Sequence, residues 1–445
     1  MTAGAKRVRS RSSGASATPV DPRTGLIPFV ITAEIEPGDP DVFVCACQTI
    51  DTTIYGLPHR VSGNGSGAGL TLDAAWGAAV GEGVERYAMS ICPHEDLVFG
   101  SYESLRCRDF LPVDPRRWAL FDASQYGRLP FVPFQPETSI GWIPMESLTY
   151  KLDVLAPASM VFVPYLPRFQ SEGERVVSPG ISTGAACAAS RSESLLKGVC
   201  EIVERDAFMI MWRDRLTLPR VIIDDESLLS DVFHERFERP GLEYHLVYTT
   251  LDLGIPSFAG FVFDHRSPQQ GVMVGGAAHP NPDRAALKTL LELAQGLQWK
   301  DHMHGSFQPD NAFHNVRSFE DRARLYATNK LPEAFEFVRS SREVVRLSDV
   351  ESIDSGDVRR NLSDCVDRLG RRGLEVLAAD LTPVDAAECG LFVTRVLVPG
   401  CEAMEGDARA PFLGGTRWRT VPCELGLKAH YGTIESCNPF PHPYP

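Results

Sequence analysis

The stretch from Ser182 to Trp212, STGAACAASRSESLLKGVCEIVERDAFMIMW, constrains the chain more than any other. Its spacing predicts a helix starting near Ser190 or Ser192, where a serine side chain can cap the first free N–H groups. At about 100° per residue, Glu193, Lys197, Glu201 and Glu204 share one stripe, with Arg205 at its edge. Leu195, Val199, Ile202 and Val203 take the opposite face. A solvated amphipathic face would explain one such helix. The chain, however, carries the signature E-x-x-E-R twice. It occurs earlier in GLTLDAAWGAAVGEGVERYAM as Glu82, Glu85 and Arg86, with Ala75, Ala78 and Ala79 leaving room on the acidic face.

Two such helices facing each other would bring carboxylates together. A pair about 4 Å apart repels by roughly 4 kcal/mol at an effective dielectric near 20. A fold tolerates that with protonation or a bound cation. Oxygen-only ligands select a hard cation, and Mg²⁺ usually arrives with phosphates. Arg86 and Arg205 would then answer phosphate charge, since a guanidinium matches phosphate oxygens in pairs.

Bulk properties narrow the class. With 445 residues, 43% of them hydrophobic and 23% charged, the chain is long and apolar enough for a large core. A net charge of −14 argues against nucleic acid or an anionic membrane as main partner. Eleven scattered cysteines without a C-x-x-C pair fit reduced thiols and a cytoplasmic location better than a disulfide framework or structural zinc. No apolar run is long enough to span a membrane, and no apolar segment follows the basic N-terminus.

Along the chain, residues 1–20 are expected to be a disordered arm, 21–435 the folded domain, and 436–445 a proline-rich tail. DVFVCACQTI reads as a strand. The glycine-rich SGNGSGAG reads as a loop able to cradle phosphate, although it lacks the P-loop pattern. SIGWIPMESLTYKLDVLAPASMVFVPY reads as a hairpin followed by a buried VFVPY strand. RVIIDD, EYHLVYTTLDLGI, SFAGFVFD and GVMVGGAA are strand-like, and PDRAALKTLLELAQGLQWKD predicts a third helix with Lys288, Glu292 and Gln295 on one face. His302 to Ser318 reads as a loop. FEDRARLYAT and VRRNLSDCVDRLGRRG then read as helical, and EVLAADLT and LFVTRVLVPG as the last strands. SCNPFPHPYP favours an extended polyproline segment.

The paired E-x-x-E-R helices, their order and spacing, and the ending PFPHPYP resemble the YcaO family, specifically its azoline-forming cyclodehydratases, from about Asp21 to Pro445. The resemblance implies a mixed α/β fold, with mixed or antiparallel sheets flanked by helices and an ATP/Mg²⁺ site between helices. It implies nucleotide contacts from Ser66, Glu82, Arg86, Glu201, Arg205, Glu292 and Gln295, and metal contacts from Glu82, Glu85, Glu193, Glu201 and Glu204. In such enzymes a Cys, Ser or Thr side chain of a ribosomal precursor peptide attacks the preceding carbonyl carbon. The oxyanion takes the γ-phosphoryl of ATP, and loss of phosphate and a proton leaves a thiazoline or oxazoline. No enzyme nucleophile is needed.

For proton handling, the resemblance points to the terminal carboxylate on Pro445, while His442 is a second candidate by its ordinary titration range. A docking peptide for a proline-recognising domain is the plain alternative for the tail. A separate leader-binding partner resembling ubiquitin-activating enzymes is expected; a homodimer is compatible with the family. Three positions depart from the family pattern: Ala68 within Gly67-Ala68-Gly69, Ala78, and Leu297 after Gln295-Gly296. Thioamide or macroamidine formation, and a silent nucleotide-binding scaffold, are the rival readings.

Overall fold

The computed structural model describes residues 6–8, 18–55, 63–118, 120–266, 271–300, 307–328 and 331–444. Three sheets organise them. The first is antiparallel, in the order β1 (Lys6–Val8), β2 (Val30–Thr32), β3 (Phe43–Gln48), β4 (Asn64–Gly69). Helix α1 (Leu72–Ser90) returns across β4, started by the Thr71 side chain, which accepts the Ala74 N–H.

Two expectations change here. The glycine-rich stretch is a strand rather than a loop, because its glycines recur at every second residue and so share one face. A Cβ at Gly65 would lie 2.2 Å from Ala79 O, one at Gly67 2.4 Å from Ala78 Cβ, and one at Gly69 2.7 Å from Ala75 N. The stripe lets α1 lie directly on the strand. In the arm, β1 pairs with β2, so residues 6–8 are not free chain: edge pairing uses backbone groups alone and asks nothing of composition. Val20 is likewise buried and bridged to Ile27. Residues 1–5 and 9–17 lie outside the described residues.

The second sheet begins with β5 (Val98–Gly100), β6 (Ile140–Ser147), β7 (Leu152–Pro157) and β8 (Ala185–Ala188). VFVPY is not a strand. Ala158–Val161 makes a helical turn, and Val163 N–H reaches Met89 O rather than a ladder. Pro164 has no N–H to give to one. Next comes α2 (Arg191–Arg213), capped by Ser190 as the sequence predicts. Its second half is buried all round, from Asp206 to Arg213, so only its first turns keep an outward face.

The third sheet has the order β12-β11-β10-β9-β13, built from β9 (Arg220–Ile222), β10 (Leu242–Tyr248), β11 (Ser257–Asp264), β12 (Val272–Ala278) and β13 (Val344–Arg346). Helix α3 (Pro282–Lys300) covers one face and α2 the other. Strand β11 is therefore buried on both sides: Phe258 and Val262 meet the α3 core, while Phe261 and Phe263 join Phe208 and Trp212 of α2. Helices α4 (Phe319–Thr328), α5 (Val358–Arg371) and α6 (Arg417–Glu424) pack around this frame. β14 (Leu377–Asp380) and β15 (Phe392–Leu397) complete the second sheet, in the order β5-β6-β14-β15-β8 with β7 on β6. The fold is thus mixed α/β, with predominantly antiparallel sheets.

Candidate active site

The three acidic helices converge, and each anchors a glutamate on a main-chain N–H from a neighbouring strand or turn. On α1, Glu82 Oε2 accepts from Ser66 N at 2.6 Å, and its Oε1 takes Arg86 NH2 at 2.6 Å. On α2, Glu201 Oε2 accepts from Gly184 N at 2.8 Å, and its Oε1 pairs with Arg205 NH2 at 2.8 Å. On α3, Glu292 Oε2 accepts from Gly276 N at 3.1 Å. The two E-x-x-E-R motifs thus use their first glutamate and their arginine identically, the arginine one turn later. Gln295 Nε2 donates to Ser66 Oγ at 2.8 Å, tying α3 to β4.

The second glutamate of each motif faces inward. Glu85 carries a carboxyl pushed well above the ordinary range by burial and by the charges of Glu201 and Glu82. Glu201 comes from the opposite helix, so the predicted convergence of carboxylates is present. Glu204 is buried and pushed up to about 8, chiefly by burial, with Glu292 adding to the rise and Lys288 opposing it. Lys288 Nζ lies 3.8 Å from Glu204 and 3.7 Å from Glu292, and those carboxylates hold it above its usual range. Glu193 stands nearer the rim, paired with Lys197 at 3.4 Å.

The proline-rich tail enters this pocket. Tyr444 OH donates to Glu204 Oε1 at 2.7 Å, and Gly276 makes room for the phenol, since a Cβ there would lie 2.3 Å from Tyr444 OH. Three carbonyls hold the tail in place. Trp212 Nε1 donates to Phe440 O at 3.0 Å, Tyr326 OH to Pro441 O at 2.6 Å, and Arg322 NH1 to His442 O at 3.1 Å.

His442 does not suit a neutral-pH proton shuttle. It is buried, its Nε2 lies 2.8 Å from Glu405 O, and burial together with the Arg322 charge drives its imidazolium form well below the usual histidine range. Pro445 lies outside the described residues. Tyr444, Lys288 and Thr183, which accepts from Arg205 NH1 at 2.8 Å, join the site although none belongs to E-x-x-E-R. For Lys288 the signal was its i,i+4 spacing from Glu292; for Tyr444 it was the tail itself. Nothing local marked Thr183.

The donor set suits a hard cation carrying an anion: glutamates from three helices, two of which, Glu85 and Glu204, are pushed up by burial and by neighbouring carboxylates, with Arg86, Arg205 and Lys288 around them. Among the described residues no three carboxylate, His or Cys groups form a ready cage. This matches Mg²⁺, which usually takes one or two carboxylates and completes its shell with water and phosphate. Of the departing positions, Leu297 is buried in the α3 core and Ala78 lies against Gly67. No helix is long and apolar enough to cross a membrane among the described residues.

Comparison with known proteins bears on the same residues. The family model described as "YcaO cyclodehydratase, ATP- and Mg²⁺-binding" matches residues 66–402. A protein of Methanothermobacter thermautotrophicus is 28% identical over 77% of this chain and 82% of its own length. One from the tfuA 3′ region of Rhizobium leguminosarum bv. trifolii is 29% identical over 76% of each. Among solved structures, a heterocyclase in complex with substrate and cofactor superposes with a TM-score of 0.77 at 25% identity, over 96% of this chain and 56% of that one. The heterocyclase TruD gives 0.66 at 24%, over 84% and 51%. The chain therefore spans about half the length of these two heterocyclases. A YcaO protein from Methanopyrus kandleri bound with AMPPCP and Mg²⁺ gives 0.59 at 21%, over 83% and 86%, a likeness of fold.

Proposed function

From the premise that the chain belongs to the YcaO family, whose members bind ATP and Mg²⁺, we propose that it is an azoline-forming cyclodehydratase. Its substrate in this reading is a ribosomal precursor peptide whose Cys, Ser or Thr residues become thiazolines or oxazolines. The observation that carries the reading is the contact of Tyr444 with Glu204, which supports the tail as part of the reacting site rather than a docking peptide.

ATP supplies the γ-phosphoryl that makes the amide oxygen a leaving group, and Mg²⁺ offsets the charge of the triphosphate. The chain's own residues do the rest. Glu82, Glu85, Glu201 and Glu204, with Glu193 at the rim, would supply the one or two carboxylates that Mg²⁺ takes beside water and phosphate. Arg86 and Arg205, now paired to the first glutamate of each motif, exchange part of that pairing for phosphate oxygens. Ser66, Glu292 and Gln295 shape the nucleotide side of the pocket. The terminal carboxylate of Pro445, one residue beyond the anchored Tyr444, takes the proton released as the ring closes.

A separate leader-binding partner protein presents the peptide. Structures of the E. coli microcin synthetase McbBCD complex, including one with pro-MccB17 bound, share the fold at 12 to 13% identity. The test is incubation of protein, partner and peptide with ATP and Mg²⁺. The peptide should lose the mass of one water per ring, and a cysteine-derived ring should resist thiol alkylation. Nucleotide binding with no mass change would reject the enzyme reading. Water loss with thiols still open to alkylation would favour a macroamidine.

A further inference from the structure

Arg395, on β15, is fully buried, and no carboxylate lies within ion-pairing distance of it among the described residues. Its guanidinium instead spends five contacts on main-chain carbonyls. Nε and NH2 reach Met160 O at 3.3 and 2.8 Å, NH2 also reaches Ile181 O, and NH1 reaches Ser182 O at 2.5 Å and Thr183 O at 2.6 Å. A guanidinium is the one side chain with five N–H donors in a fixed plane. A buried charge without a counter-ion is costly, so a simple need for core volume does not explain it.

The carbonyls it gathers belong to the turn that feeds the acidic site. Directly after Ile181, Ser182 and Thr183, the N–H of Gly184 donates to Glu201, and the hydroxyl of Thr183 accepts from Arg205. Gly184 takes a left-handed φ of +92°, and a Cβ there would lie 2.3 Å from Val396 O. Val396 N–H in turn donates to Gly184 O at 2.7 Å. The turn is therefore clamped to β15 by the Arg395 side chain and by the backbone of the next residue. Ser194 reinforces the same corner, its hydroxyl lying 2.7 Å from both Ala186 O and Thr394 Oγ1.

We propose that Arg395 is a positioning residue for the nucleotide site, holding the turn at 181–184 so that Gly184 and Thr183 fix Glu201 and Arg205, and placing a positive charge without an ion-pair partner at the turn that anchors Glu201. The inference rests on the reading of Glu201 and Arg205 as nucleotide-site residues. It assigns two separable duties to one side chain. The fork shapes the turn; the charge offsets the glutamates and favours an anionic ligand above them. Removing the charge should therefore act in opposite directions on a bare cation and on a nucleotide. A purely structural arginine would weaken both.

The experiment measures two ligands on the full chain: Mn²⁺ alone, by electron paramagnetic resonance, and AMPPCP with Mg²⁺, by calorimetry. Thermal unfolding without ligand checks the fold. Arg395→Met should weaken AMPPCP binding about ten-fold while Mn²⁺ binds more tightly. Arg395→Lys keeps the charge and loses the fork that holds the turn under Glu201, so AMPPCP and Mn²⁺ binding should both fall several-fold. If Arg395→Met does not fold, the Lys variant decides. Equal weakening of both ligands in the Met variant, or wild-type AMPPCP affinity in the Lys variant, overturns the proposal. Wild-type protein that binds no AMPPCP overturns the underlying reading of the site instead.

Discussion

Tyr444 and Glu204 are hydrogen-bonded, phenol to carboxyl oxygen, at 2.7 Å, although one lies at the end of the chain and the other in the middle of α2. Both are buried, so the contact is not shared with water. It couples the seating of the tail to the state of the acidic pocket.

Tyr444→Phe keeps the ring against Phe208, 4.6 Å between centroids, and removes only the donor. A buried acceptor that loses its partner costs roughly 1–3 kcal/mol. The expected result is a lower melting temperature without ligand and slower ring formation, with the tail still protected from carboxypeptidase. Unchanged melting and turnover would show that the hydrogen bond carries nothing.

Stability should fall as pH rises. Glu204 ionises near 4.5 in the unfolded chain and is pushed up to about 8 in the fold. Between those values the folded state holds a proton that the unfolded state has released. Its contribution is complete below pH 4.5 and is lost as pH rises through about 8. For a single group the slope is at most about 1.4 kcal/mol per pH unit. Glu204→Gln should flatten the decline in thermal unfolding of the ligand-free protein, and an unaltered slope would contradict the assignment.

Glu85→Gln separates function from stability. The wild-type carboxyl is crowded by Glu201 and Glu82, so the neutral amide should stabilise the ligand-free protein by about 1 kcal/mol at pH 8. The same change removes a metal oxygen and should abolish AMPPCP binding with Mg²⁺. Chemical denaturation and calorimetry on one sample would read both. A variant that loses stability and keeps the nucleotide would show that Glu85 is structural.

Much of this site was legible before folding because helical periodicity puts residues three and four apart on one side. That logic placed Glu82 beside Arg86, Glu201 beside Arg205 and Lys288 beside Glu292, and Ser190 correctly began α2. It failed where tertiary contact overrode local signal. Glycines at 65, 67 and 69 suggest a loop by composition, yet their alternation is what a strand under a helix requires. Ala185–Ala188 has little strand propensity and forms β8 between β15 and α1, where small side chains fit. His442 looked like a titrating group because its burial cannot be read from its neighbours. Arg395 gave no sign at all, since its partners are backbone carbonyls that every sequence has.

The same strand yields a stability prediction. Gly65→Ala would place a methyl group 2.2 Å from Ala79 O and 2.5 Å from Gly83 N, both backbone atoms of α1 that cannot swing aside. The helix must move, carrying Glu82 and Glu85 with it. Overpacking of this kind typically costs about 1–3 kcal/mol. We expect a lowered melting temperature and a loss of nucleotide affinity larger than a remote destabilising change produces. Gly77→Ala, where nothing lies within 4 Å, is the matched control. Equal behaviour of the two variants would refute the close approach.

Removing Pro445 alone tests the terminal carboxylate without disturbing the tail's anchors. Trp212, Tyr326 and Arg322 hold the carbonyls of Phe440, Pro441 and His442, and Tyr444 holds Glu204; none of these contacts uses Pro445. The shortened chain keeps all four of these anchors and should therefore melt within about a degree of wild type. AMPPCP binding should persist as well. Its carboxylate, however, now sits one residue early. A displaced general base should slow ring formation by about a hundred-fold or more. Cutting back to Pro439 removes the anchors too and should lower the melting temperature as well as the rate. If the chain lacking only Pro445 forms rings at the wild-type rate, the base is elsewhere, and the tail acts through Tyr444.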